Sequence, residues 1–152
     1  SVLDELGIVA ALDALILESR RDDGPEIDYV CKVHFERPAA PLETAIFRIV
    51  QEGLNNIQQH AQATEATVSL KHTSPRTLQI TVSDNGRGLN EDADLAALAA
   101  SSHYGLLGIS ERVALLGGKL QLQNLPTGGL SINVEIPHPR TQNIRKSPRS
   151  EI

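Results

Sequence analysis

The chain is 152 residues long, enough for one domain with a single core, and it starts at Ser1 and contains no Met, so it is expected to be a piece of a longer protein. Its net charge of −5 is unevenly spread, with 10 basic against 18 acidic residues in positions 1–139, and an acidic body argues against a nucleic-acid surface. No apolar run approaches the roughly 18 residues a membrane helix needs, no signal-like start is present, and the one cysteine, Cys31, cannot pair within the chain, so a soluble, cytoplasmic piece with a buried structural thiol is expected.

Residues 3–20, LDELGIVAALDALILESR, set Leu3, Leu6, Val9, Ala10, Leu12, Leu15 and Ile16 at helical spacing, and RDDGP ends them. IDYVCKVHFE then alternates, with Ile27, Tyr29, Cys31, Val33 and Phe35 on one side, which is the pattern of a half-buried strand. From Leu42 to about His60 the 3.6-residue period returns. Two one-sided strands follow, with Ala66, Val68 and Leu70, then Leu78, Ile80 and Val82, pointing inward. Residues 89–103 are acidic and alanine-rich without a firm apolar stripe, and a mobile loop with one weak helix is expected there. A helix over about Leu106–Leu116 is closed by Gly117 and Gly118. KLQLQNL, the turn PTGG and LSINVEI form a closing hairpin with Leu130, Ile132, Val134 and Ile136 inward, and a basic, unpatterned tail of disordered character follows. No internal repeat is present. Strands with one wet face and helices between them predict an α/β (α+β) two-layer sandwich, its sheet antiparallel or mixed and covered by helices on one side.

Three stretches carry chemistry. In ITVSDNGRGLN, extending the parity of Leu78, Ile80 and Val82 puts Asp84 on the buried side, where a carboxylate is costly without hydrogen-bond donors. An aspartate capping its own turn is the plain alternative. Gly86 and Gly88 add backbone freedom and room for a flat ligand. On the preceding helix, Glu52, Asn56 and His60 follow at i, i+4 and i+8 along the border of the apolar face, while Asn55 points away; an ordinary amphipathic boundary has the same look. In HYGLLGISERVALLGG, Gly105 and Gly108 open a helix whose unpaired first amides suit phosphate, though glycines before a helix also make ordinary turns. No GK[ST] occurs, so this is not a Walker A loop.

RIVQEGLNNIQQHAQA, DNGRG, YGLLGISERVALLGG and GGLSINVEIP occur in the order and spacing of the catalytic, ATP-binding domain of bacterial two-component sensor histidine kinases, and over about residues 1–137 the chain resembles the nitrate-sensor-like subfamily. That domain shares a Bergerat-type ATPase fold with DNA gyrase, mismatch-repair ATPases and a heat-shock chaperone. The resemblance implies three parts: residues 1–20 as the end of the dimerisation region, 21–138 as the ATP-binding domain, and 139–152 as the tail. It implies a protein histidine kinase that uses ATP and Mg2+, with the acceptor histidine on a dimerisation domain upstream of Ser1, a homodimeric parent and a response regulator downstream.

Residue by residue, the resemblance implies that Asp84 accepts from the adenine amine, with Gly86 and Gly88 admitting the base. Asn56 ligates Mg2+, and Glu52 orients or deprotonates the incoming imidazole, or a water. Gln59 and His60 line the ATP site. Residues 89–104 form the lid, Gly105, Leu106, Leu107 and Gly108 meet the phosphates, and Ile109 lies near the base. The chain departs from the family at Gln59, where relatives often have Lys, and at Leu130, where many have Thr. A degenerate nucleotide-binding regulatory module and an anti-sigma-factor-type serine kinase are the alternatives.

Overall fold

The computed structural model describes residues 2–33, 37–89 and 104–138, and of His60, Ala61, Tyr104 and Leu106 the backbone alone. In chain order the elements are α1 (Val2–Leu6), α2 (Ile8–Ser19), β1 (Glu26–Lys32), α3 (Ala40–Asn56), a π-helical turn (Ile57–Ala61), β2 (Glu65–Ser74), β3 (Thr77–Asp84), α4 (Tyr104–Leu115), β4 (Lys119–Asn124) and β5 (Leu130–Pro137).

The sheet runs β1-β2-β3-β5-β4. β1 lies parallel to β2, and every other pair is antiparallel. Successive strand residues point to opposite faces, and burial follows that period: Ala66, Val68 and Leu70, Leu78, Ile80 and Val82, and Leu130, Ile132, Val134 and Ile136 are all buried. Helices cover that inner face, so the expected mixed two-layer sandwich is the fold observed. On the outer face Thr81 Oγ1 donates to Asn133 Oδ1 at 3.3 Å. β1 ends at Lys32, short of the sequence-based strand, and His34 and Phe35 lie outside the described residues. Cys31 packs against the core but is half-buried, not fully enclosed.

The N-terminal helix is broken where periodicity ran straight through. Gly7 has φ 85°, and the chain turns there from α1 into α2. Two distant side chains hold the break. The buried Glu43 of α3 accepts from the Ile8 amide at 2.8 Å, satisfying one of the orphan donors that open α2. Arg37 reaches the other side of the elbow, donating through Nη2 to the carbonyls of Leu3 and Asp4 at 2.7 Å each and through Nε to Glu43 at 3.3 Å. Beyond the elbow, Ile8, Leu12 and Ile16 join the core.

α3 lays Leu42, Ala45, Ile46, Ile49, Val50 and Leu54 on the sheet. Gly53 lets it approach closely, since a Cβ there would lie 2.9 Å from Val82 Cγ1. The helix expected to reach His60 is α-helical only to Asn56. It then widens into the π turn and stops at Gln62, whose φ is 51°. α4 closes as its glycines predicted: Gly117 has φ 76°, and the Gly118 amide returns to the Val113 carbonyl at 2.9 Å. The expected weak helix within 89–103 and the tail at 139–152 fall outside the described residues.

Candidate nucleotide-binding site

Asp84 ends β3 on the buried side, as strand parity required, with only 6% of its surface exposed. Its Oδ1 accepts from the Gly86 amide at 2.8 Å. Burial pushes the carboxyl above its ordinary value, while the backbone amides of Gly86 and Leu130 pull it back down. Asp84 therefore does hold its own turn, and β5 supplies a second donor from 46 residues away in sequence. The close approach of β5 depends on Gly129, which has φ 98°; a Cβ there would overlap the Asp84 carbonyl oxygen. Leu130, the departure noted in the sequence, is buried beside it.

The rest of the DNGRG corner is tied on two sides. Asn85 Oδ1 accepts from the Thr64 and Glu65 amides at 2.9 Å each, and its Nδ2 donates to Thr64 Oγ1 at 2.8 Å, which fastens the corner to the entrance of β2. On the other side, Asn124 at the end of β4 accepts from the Leu89 amide at 2.9 Å and donates to the Leu89 carbonyl at 3.0 Å. Gly88 sits between them with φ 67°, and a Cβ on it would lie 2.7 Å from Asn124 Oδ1. Its glycine thus has a reason internal to the fold, independent of any ligand. Sequence reasoning missed both Asn85 and Asn124. DNGRG itself pointed to Asn85, but for Asn124 there was no signal, because its partner lies 35 residues away.

On α3, Asn56 is buried, and its Oδ1 has no hydrogen-bond partner among the described residues. Gly53, one turn earlier, rests on Val82, two residues before Asp84, so the last turn of α3 lies beside the end of β3. Glu52 is half-buried, and its carboxylate packs against Gly105 in the first turn of α4, where any Cβ would overlap Oε2. Two motifs 53 residues apart in sequence are thereby brought together.

The remaining candidates divide. Ile109 is buried, Leu107 half-buried, and the Cα of Gly108 faces open space. Asn55 points away from the core as expected, and Gln59 is exposed. The side chains of His60 and Leu106, and residues 90–103 of the expected lid, lie outside the described residues. A buried acceptor, a buried amide oxygen and a carboxylate beside a glycine-opened helix end are the groups a purine, a hard cation and a transferring phosphoryl group call for. Among the described residues no cluster of three His, Cys, Asp or Glu forms a metal site, and no helix is long and apolar enough to cross a membrane.

A family model described as "Histidine kinase-, DNA gyrase B-, and HSP90-like ATPase" matches residues 42–140. A sensor-like histidine kinase of Chloroflexus aurantiacus is 31% identical over 135 residues, 89% of this chain and 21% of that protein. The signal transduction histidine-protein kinase/phosphatase DegS of Brevibacillus brevis is 30% identical over 135 residues, 89% of this chain and 33% of that one. Among solved structures, the histidine kinase domain of the Erythrobacter litoralis EL346 blue-light activated histidine kinase superposes with TM-score 0.62 at 25% identity, covering 86% of this chain and 58% of that chain. The chain spans between about a fifth and a third of the length of these two curated relatives.

Proposed function

This chain belongs to the histidine kinase-, DNA gyrase B- and HSP90-like ATPase family and is an ATP-binding domain of the sensor-kinase kind, and on that premise we propose that it binds Mg-ATP and donates the γ-phosphoryl group to a histidine on a dimerisation domain. The observation that carries the reading is the Asn56 side chain, whose buried Oδ1 lacks a partner among the described residues. Such an oxygen is costly unless a ligand takes it up, and it is a hard donor of the kind that Mg2+ would prefer. Asn56 would help hold the ion, which would supply positive charge against the charge developing on the transferring phosphoryl group.

Asp84 accepts from the adenine exocyclic amine, with Gly86 and Gly88 forming the wall beside the base and Ile109 closing it. The first-turn amides of α4, around Gly105 and Leu106, meet the phosphates, while Leu107 and Gly108 lie further into the helix, and Gln59 and His60 flank the phosphates. Glu52 orients the incoming imidazole and takes its proton as the nitrogen–phosphorus bond forms and the bond between the γ-phosphorus and its bridging oxygen breaks, leaving ADP. The acceptor histidine, a homodimeric parent, a response regulator and a cytoplasmic setting belong to the same proposal, as does the nitrate-sensor-like branch suggested by the motifs.

Calorimetry with Mg-ATP, followed by labelling from γ-labelled ATP, tests the reading. The chain should bind ATP, remain unlabelled by itself, and label the dimerisation domain of the same parent when the two are mixed. No heat at near-millimolar ATP would point to a degenerate regulatory module. Stable phosphohistidine on this chain alone would overturn the placement of the acceptor.

A further inference from the structure

Asn124 is a polar side chain beside the site, bonded twice to the corner, that the phosphoryl-transfer reading leaves without a role. It is the last residue of β4, in register with Leu130, the first residue of β5. Its amide holds both main-chain polar groups of Leu89, at 2.9 Å and 3.0 Å. The same hairpin end reaches the other side of the corner, where Gly129 packs on the Asp84 carbonyl and the Leu130 amide donates to the Asp84 carboxylate. The six-residue corner Asp84–Leu89 is therefore gripped at both ends by one hairpin, with the left-handed Gly88 bent around the Asn124 side chain between them.

We propose that Asn124 is a positioning residue for adenine recognition, holding the Asp84–Leu89 corner in its binding shape before the nucleotide arrives. The inference rests on the assignment of that corner to adenine. Both Leu89 bonds are exposed, so water can replace them when Asn124 is removed, and the net loss of stability is small. What is lost is order: a corner free to move must be fixed when the base binds, and that cost appears in affinity. The clasp thus acts on binding far more than on folding.

The test is Asn124→Ala in the full chain, compared with wild type by Mg-ATP calorimetry, thermal melting and amide hydrogen exchange. The expected result is about tenfold weaker ATP binding, equal to about 1.4 kcal/mol. Tm should change little, and faster exchange should be confined to residues 85–89. Asn124→Asp, which keeps an acceptor for the Leu89 amide, should recover part of the affinity. It also carries the test should the alanine variant fail to fold. ATP affinity equal to wild type in the folded variant would overturn the inference, as would faster exchange spread through the whole sheet with a falling Tm, the mark of a merely structural role. A wild-type chain that takes no ATP would instead overturn the adenine assignment, and this inference with it.

Discussion

At the scale of single residues, Asp84, the proposed adenine acceptor, sets stability against binding. Burial raises its carboxyl above the usual 3.8, so the folded state holds the proton more tightly than the unfolded chain does. Its contribution to stability is then present at low pH and falls as pH rises through the window between 3.8 and the raised value, as the buried group ionises. Asp84→Asn removes the titrating carboxyl and keeps an oxygen for the Gly86 amide, but it can turn a donor toward the adenine amine. The variant should melt no earlier than wild type above that window, lose the pH dependence, and lose ATP binding by at least about 1.5–3 kcal/mol, the worth of a hydrogen bond to a charged group. Melts across pH and an ATP titration measure both; unchanged ATP affinity would remove Asp84 from the site. Parity placed this residue correctly because the strand period is local. Asn124 was invisible for the opposite reason, since an asparagine before a turn reads the same whether or not it clasps a backbone 35 residues away.

At the scale of elements, the site depends on how closely α3 lies on β3, and Gly53 sets that distance. A Cβ there would meet Val82 Cγ1, Cβ and Cγ2 at 2.9, 3.1 and 3.2 Å, so the whole stiff side chain must move, not one flexible end. Gly53→Ala gains about 1 kcal/mol of helix propensity against about 1–3 kcal/mol of overpacking, and a net loss of up to about 2 kcal/mol is expected in urea unfolding. Adding Val82→Ala should cost less than the sum of the two single changes, because the second change opens the space the first one needs. Strict additivity would show that the helix had shifted freely. The core face of α3 was legible from periodicity. The π turn after Asn56 was not, because the apolar spacing up to Ile57 suits an α-helix equally well.

At the scale of the whole molecule, the question is whether α2 belongs to the ATP-binding unit. Sequence placed the boundary at residue 21, and the family model begins at residue 42, yet Ile8, Leu12 and Ile16 are each at most 2% exposed. Burying such side chains contributes about 1.5–3 kcal/mol apiece, which together rivals the roughly 5–15 kcal/mol by which a domain is stable. Deleting residues 1–20 also strips the Ile8 amide from the buried Glu43. We propose that α2 is part of the unit, and a chain of residues 21–152 should show a strongly lowered or lost cooperative melt by circular dichroism. An unchanged Tm would make α2 a linker packed on an independent domain.

What sequence determined by itself was whatever repeats within a few residues. It settled the inward sides of β2, β3 and β5, the buried Asp84, the core face of α3, and the glycine that closes α4. Each follows from a period of two or 3.6, or from a left-handed turn, and needs no distant partner. The tertiary structure decided the rest. The elbow at Gly7 exists because Glu43 and Arg37 hold it, the first across 35 residues to Ile8 and the second across 34 to Leu3. The meeting of Glu52 with Gly105, the grip of Asn124 on Leu89 and the Leu130 amide on Asp84 likewise join segments that share no local signal. A side chain's face is set by its own backbone, but its partner is set by how the packed elements bring distant chain together.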